Sequence, residues 1–152
     1  MNTMIEGVIV KNLTFNRDDR GWLTEVYRSD ETKYRPAMSY VSQTMPGVVR
    51  GPHEHKTQSD CFVFLFGKFR LFLWDNRKGA TSFRKQVTYD VGEHNPMMVI
   101  IPPGVVHAYK CISELPGVTF NLPDKLYAGK AKREEVDEIR WETMPDSPFK
   151  VD

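Results

Sequence analysis

Cysteine is scarce: Cys61 and Cys111 are the only two in 152 residues. They lie in apolar, strand-like text without CxxC spacing, which predicts two reduced, buried thiols rather than a disulfide framework. An excess of charge is lacking too. Lys plus Arg number 21 against 20 Asp plus Glu, a net charge of +1, so neither nucleic acid nor a membrane surface is implied as a partner. No apolar run approaches the length of a transmembrane helix, and MNTMIEGVIV lacks a signal-peptide pattern; both absences predict a cytoplasmic protein. Internal repeats, low-complexity tracts and long linkers are missing, so one domain over residues 1–152 with one core suffices. The charged stretch KAKREEVDEI, Lys130–Ile139, predicts one short surface helix.

What is present is a series of short strands. The pattern places them at Gly7–Leu13, Trp22–Tyr27, Met38–Gln43, Gly47–His55, Cys61–Phe66, Phe69–Trp74, Arg84–Tyr89, Met97–Ile101, His107–Cys111 and Val118–Asn121. Turn residues separate them, among them Asp18-Asp19-Arg20-Gly21, Met45-Pro46-Gly47, Gly67-Lys68 and Pro102-Pro103-Gly104. Strands of this length and spacing predict an all-β cupin (jelly-roll) barrel, the double-stranded β-helix. CFVFLF-GK-FRLFLW reads as a hairpin whose first strand is apolar on both faces. One face would line the barrel; the other would meet a second sheet or a partner subunit.

Three of the four histidines stand at informative places. Side chains alternate along a strand, so His53 and His55 point the same way. Asp60 follows them, and His107 opens a strand just after Pro102-Pro103-Gly104. This arrangement resembles the two-part cupin signature, with Asp60 where Glu is usual and Cys111 where Asn is common. Two chemistries suit the cluster. His53, His55, His107 and Asp60 offer three nitrogens and an oxygen to Fe, Mn, Ni or Zn. Alternatively the histidines are metal-free acid–base groups, because imidazole titrates near neutrality. His94, in GEHNP, reads as a surface residue.

DDRGWLTEVYR, VVRGPHEH and IIPPGVVHAYK follow one another in the order of three motifs of dTDP-4-dehydrorhamnose 3,5-epimerases. FGKFRLFLWDNRKGATSF between the last two is similar to that family's strand and turn segment. The resemblance runs from Phe15 to Tyr127. It implies removal of a proton beside the 4-keto group of a nucleotide-linked 6-deoxy sugar, with no cofactor. His53 matches the family's base, and Arg50 and His107 match residues around the sugar and its diphosphate. Arg20 and Glu25 match nucleotide contacts that reach across a dimer interface, and Gln43 joins the substrate-binding set. A guanidinium also pairs bidentately with phosphate on chemical grounds alone.

The chain departs from the family at several points. Asp60 stands where the family has a lysine facing the keto oxygen, and Phe120 where it has a tyrosine acid. The family's extended C-terminal portion, with the aspartate that orients the base, is missing or reduced to the closing Asp152. Arg-Gly-x-His-x-His-Lys also resembles sugar-nucleotide 3,4-ketoisomerases, in which two histidines share proton transfer. Tyr109, two residues past His107, is the candidate replacement acid, and His55 and Asp60 complete the catalytic set. The leading expectation is therefore an epimerase or ketoisomerase of a nucleotide-activated 4-keto-6-deoxy sugar, serving polysaccharide or deoxysugar synthesis as a homodimer. Two others stay open: a metal-dependent cupin isomerase or dioxygenase, and a non-catalytic sugar-nucleotide binding module.

Overall fold

The computed structural model describes residues 4–152. Its strands are β1 (Ile9–Asn12), β2 (Asn16–Asp18), β3 (Gly21–Leu23), β4 (Tyr40–Thr44), β5 (Val49–Glu54), β6 (Asp60–Phe66), β7 (Lys68–Asp75), β8 (Gln86–Gly92), β9 (Met97–Ile101), β10 (Val105–Cys111), β11 (Gly117–Asn121) and β12 (Ile139–Arg140). One sheet has the order β1-β9-β6-β11-β4 and the other β12-β5-β10-β7-β8; β2 and β3 form a separate ribbon. Every pairing is antiparallel, giving the expected cupin jelly-roll. No helix among the described residues is long and apolar enough to cross a membrane.

β6 and β7 show why the sequence folds this way. Phe62 and Phe64 face the interior, where Phe69, Leu71, Leu73 and Tyr109 meet them. The alternate residues Cys61, Val63 and Leu65 face outward and are covered by Leu13, Phe15, Val26 and Tyr34. On β7 the outward Phe72 and Trp74 are covered by Trp141, Phe149 and Val151. The doubly apolar strands thus bury their second faces under the chain's own N- and C-terminal segments. Both cysteines are buried and unpaired.

The expected β6–β7 hairpin does not form. The two strands lie in opposite sheets, and Gly67 (φ +79°) carries the chain across between them. A Cβ on Gly67 would stand 2.7 Å from Gly117 Cα, so a side chain there is excluded by both conformation and space. Apolar faces explain the outcome: a hairpin would set Phe64 and Phe69 side by side, whereas across the sandwich their rings meet 5.6 Å apart inside the core. The helix expected at Lys130–Ile139 is absent as well. The stretch is a short 3₁₀ turn, Lys130–Lys132, followed by extended chain and β12. KAKREEVD has no apolar stripe to bury, and Ala131 and Lys132 adopt positive φ. The strand expected at Trp22–Tyr27 shortens to β3, and that at Arg84–Tyr89 shifts to β8.

Residues 123–142 run along the open end of the barrel. Asp137 ties them down by accepting from the backbone N–H groups of Lys56 (2.8 Å), Thr57 (2.8 Å) and Gln58 (3.0 Å), and from the Thr57 hydroxyl (2.8 Å). β12 then pairs with β5, Arg140 opposite His53. Trp141 Nε1 donates to the buried Glu54 carboxylate at 2.9 Å, and Phe149 packs on the Trp141 ring.

Two predictions follow from these contacts. Phe64→Ala, in a fully buried site ringed by Phe62, Phe69 and Tyr109, should lower stability by about 3–5 kcal/mol in urea denaturation. Burial alone would raise Asp137, but its four hydrogen bonds outweigh that and hold it at about 2, below the ordinary 3.8. Its stabilising contribution is complete above pH 3.8 and lost as pH falls through about 2. Asp137→Asn should therefore speed amide exchange at Lys56, Thr57 and Gln58 several-fold at neutral pH, and unchanged exchange there would remove this tie from the account.

Candidate active site

β5 and β10 run side by side, and their register sets His53 opposite His107. The ring centroids are 4.5 Å apart, nearly perpendicular at 78°. The pairing shifts between His107 and Tyr109, because Gly51 (φ +86°) presses against β10. A Cβ on Gly51 would stand 2.5 Å from the His107 carbonyl oxygen, so the Arg-Gly-x-His order has a steric reason. His55 follows β5 on the same face as His53, with ring centroids 5.9 Å apart.

Asp60, 1% exposed at the start of β6, closes the cluster. Its Oδ2 lies 3.0 Å from His55 Nε2 and 3.2 Å from His107 Nε2. Its Oδ1 accepts from Gln58 Nε2 at 3.0 Å and Asn121 Nδ2 at 2.9 Å. Burial would push this carboxyl up, but His107 and His55 outweigh it and hold Asp60 well below the usual carboxylate range. Burial would likewise depress His55, yet Asp60 lifts it to about 9. His53 goes the other way: burial, then the neighbouring His107, lowers it to about 2. Its Nδ1 lies 3.8 Å from Glu138 Oε1 and 4.0 Å from Glu142 Oε1.

These residues stand at a cavity of about 1150 Å³. His53, His55, Arg50 and Tyr109 line it, as do Tyr40, Ser42, Gln58, Lys125 and Arg140. His107 and Asp60 do not; both are buried behind the lining. Gln43, Arg20 and Glu25 are also absent from the cavity wall. Tyr40 and Ser42 alternate inward along β4, which leaves Gln43 on the other face, where it gives its backbone carbonyl to Arg50 Nη2 at 2.7 Å. Arg20 is exposed and pairs with Asp18; Glu25 is exposed and pairs with Arg28. His94 is a surface residue as expected.

Asp152 and Phe120 both lie away from the cavity wall. Asp152 does not face His53; its backbone carbonyl accepts from Lys110 Nζ at 2.9 Å, and Glu138 and Glu142 are the carboxylates beside the base. Phe120 packs on the outer face of the first sheet, away from the cavity. Tyr40 was legible only through its two-residue phase with Ser42. Its hydroxyl accepts from Asn121 Nδ2 at 2.9 Å, and burial pushes its pKa up to about 12. Tyr109, 3% exposed, holds its hydroxyl 3.2 Å from Thr119 Oγ1 and 3.4 Å from Ser42 Oγ. Arg50 Nε donates to Thr44 Oγ1 at 2.9 Å.

Among proteins of known sequence, the chain is 40% identical over 126 residues to the probable low-salt glycan biosynthesis epimerase Agl13 of Haloferax volcanii, covering 81% of each chain. It is 37% identical over 114 residues to the spore coat polysaccharide biosynthesis protein SpsL of Bacillus subtilis, covering 74% of this chain and 76% of the relative. The crystal structure of a dTDP sugar isomerase from Desulfovibrio desulfuricans superposes with a TM-score of 0.84 at 19% identity, over 96% of this chain and 91% of the other, a likeness of fold. The profile of the dTDP-4-dehydrorhamnose 3,5-epimerase family matches residues 2–144. The chain therefore belongs to the dTDP-4-dehydrorhamnose 3,5-epimerase family, a family of sugar-nucleotide epimerases.

Proposed function

We propose that this protein epimerises a nucleotide-activated 4-keto-6-deoxy sugar by removing a proton from a carbon beside the keto group, in the assembly of a glycan or polysaccharide. The observation that carries the reading is His53: a neutral imidazole on the wall of a large cavity, with its Nδ1 turned to Glu138 and Glu142. A base must hold its lone pair free at working pH, and burial keeps His53 unprotonated there, while Glu138 and Glu142 beside it favour the protonated ring once the proton is taken. As the proton arrives, the two carboxylates stabilise the imidazolium that forms. Nε2 is then the nitrogen left to meet the substrate.

Arg50 stands on the same wall, fixed by Thr44 and the Gln43 carbonyl, and is suited to a diphosphate oxygen. Asp60 does not burden the enolate as its position in the sequence suggests. Its charge is matched by His55, whose ring stands between it and the cavity and brings positive charge, rather than a free N–H, toward the developing oxyanion. The returning proton has two candidate sources on the wall. Tyr109 shares its hydroxyl with Thr119 and Ser42, whereas Tyr40 only accepts from Asn121 and keeps its own proton for the cavity. The reaction so drawn needs no cofactor.

Arg20 and Glu25 are exposed outside the wall of their own cavity, and β4 is an edge strand with Val41 exposed. A homodimer pairing through that edge, with Arg20 serving the partner's cavity, accounts for both. It should sediment as a dimer.

The test is incubation with dTDP-4-keto-6-deoxyglucose in D2O, followed by NMR of the sugar protons. Exchange at C3 or C5 is expected, with His53→Ala reducing it at least about a hundredfold, the range of a general base. A shifted ketone in place of an epimer would assign ketoisomerase chemistry with His55 as the second shuttle. Binding without exchange would reduce the protein to a sugar-nucleotide binder. Tyr40→Phe should slow product formation more than Tyr109→Phe, while Arg50→Ala should act mainly on KM. The reverse order for the tyrosines would return the acid role to Tyr109.

A further inference from the structure

We infer that Asn121 is a positioning residue for the proposed reaction: its side-chain amide fixes Tyr40 as the proton donor and stabilises the phenolate left when that proton is given. The inference rests on the epimerase reading for the chemical step, and on the geometry of β11 for the residue. Asn121 is 1% exposed and lies outside the cavity wall, so it acts through Tyr40, which is on that wall. The register of β11 with β4 sets Asn121 directly opposite Tyr40, just as Thr119 stands opposite Ser42. Residues 119 and 121 share the inner face of the strand, while Phe120 packs on the outside.

The amide has its oxygen and both its hydrogens engaged. Oδ1 accepts from the Cys61 backbone N–H at 3.0 Å, and this fixes which way the amide faces. Turned over, it would set Nδ2 against that N–H and Oδ1 against the Asp60 carboxylate. Nδ2 gives one hydrogen to Asp60 Oδ1 at 2.9 Å and the other to the Tyr40 hydroxyl oxygen at 2.9 Å. The Tyr40 oxygen is thereby held as an acceptor, and its own hydrogen is left for the cavity. Tyr109 is held differently, because its partners Thr119 and Ser42 are hydroxyls that each give or take a proton. In the proposed step Tyr40 passes its O–H proton to the enolate carbon, and the bonding pair stays on the phenolate oxygen. His53 then gives up its proton to water and the phenolate takes one back, which restores both groups. The Asn121 N–H holds the oxygen more strongly while it is charged. Burial raises the Tyr40 phenol, and the Asn121 hydrogen bond pulls it back against Asp60, Tyr109 and Glu138, which raise it further. The buried carboxylate that pairs with His55 thus also anchors the amide that sets the acid.

The first test uses no sugar. In full-length protein carrying 3,5-difluorotyrosine in place of Tyr40, a fluorine NMR titration follows the phenol at that one position. Asn121→Ala should move the midpoint upward by about one unit, the worth of one hydrogen bond to a charged oxygen. Asn121→Asp, which sets a carboxylate there, should move it upward further. An unmoved midpoint in variants with a native circular dichroism spectrum overturns the inference. If neither variant folds, the protein with its native amide decides. Tyr40→Phe should then shift one of the two Asn121 side-chain amide hydrogens in nitrogen-correlated NMR, and an unshifted pair overturns the inference. With the sugar nucleotide, Asn121→Ala should lower kcat about tenfold and leave KM nearly unchanged, yet cost nothing more in a Tyr40→Phe background. Losses that simply add would make Asn121 structural only. If the wild type exchanges no sugar proton, the epimerase reading fails by itself, and the fluorotyrosine midpoint still judges Asn121.

Discussion

Burial of the Asp60 charge is the constraint around which the barrel is arranged. A carboxylate in an apolar interior is tolerated only when paired and hydrogen-bonded. Here four partners arrive from different places: His55 and Gln58 from the connection after β5, His107 from β10 and Asn121 from the end of β11. β6 and β11 belong to one sheet, β5 and β10 to the other. The charge therefore clips the two sheets together at one end of the sandwich, while Phe62, Phe64, Phe69 and Tyr109 fill the space beyond it with rings 5.4 to 6.1 Å apart.

The second dependence is on the C-terminal segment. β5 would be an edge strand with its outer face bare, but β12 pairs with it and Trp141 covers it. Glu54 and His53 are neighbours on opposite faces of β5, and both are engaged by this segment. Glu54 accepts from Trp141 on the outside, and His53 meets Glu138 and Glu142 on the inside. Asp137 adds its grip on residues 56–58 and, through its carbonyl, on His55. The cavity wall is thus completed by residues more than eighty positions from the histidines they serve.

That separation explains what the sequence disclosed and what it did not. The alternation of apolar residues made most strands legible, and the phase of two put His53 and His55 on one face. The reason for glycine at position 51, a close approach to the His107 carbonyl, appears only in the structure. The β6–β7 connection was misread because a glycine between two apolar strands suits a hairpin and a sheet-to-sheet crossing equally. Only the packing of Phe64 on Phe69 across the interior decides between them. Gln43, in the expected substrate-binding set, is out of phase with Tyr40 and Ser42, the residues of β4 that face the cavity. Glu138 and Glu142 lie in text that reads as a charged helix, and no spacing links them to His53; the pairing of β12 with β5 brings them there.

The two histidines of His-x-His show how one strand face yields opposite groups. They share a phase and a cavity, yet burial and His107 drive one to about 2 while Asp60, against burial, lifts the other to about 9. At neutral pH the first is unprotonated, and the second is protonated and holds its protons against Asp60 and the Asp137 carbonyl. Neighbouring groups whose environments push their pKa values apart are the usual basis for dividing acid and base roles. In the proposed reaction this division lets His53 take a proton without competing with His55 for it. It also sets a positive charge on the cavity wall beside the base, with ring centroids 5.9 Å apart. Asp60, which in sequence looks like the loss of a needed cation, holds the protonated His55 on the cavity wall.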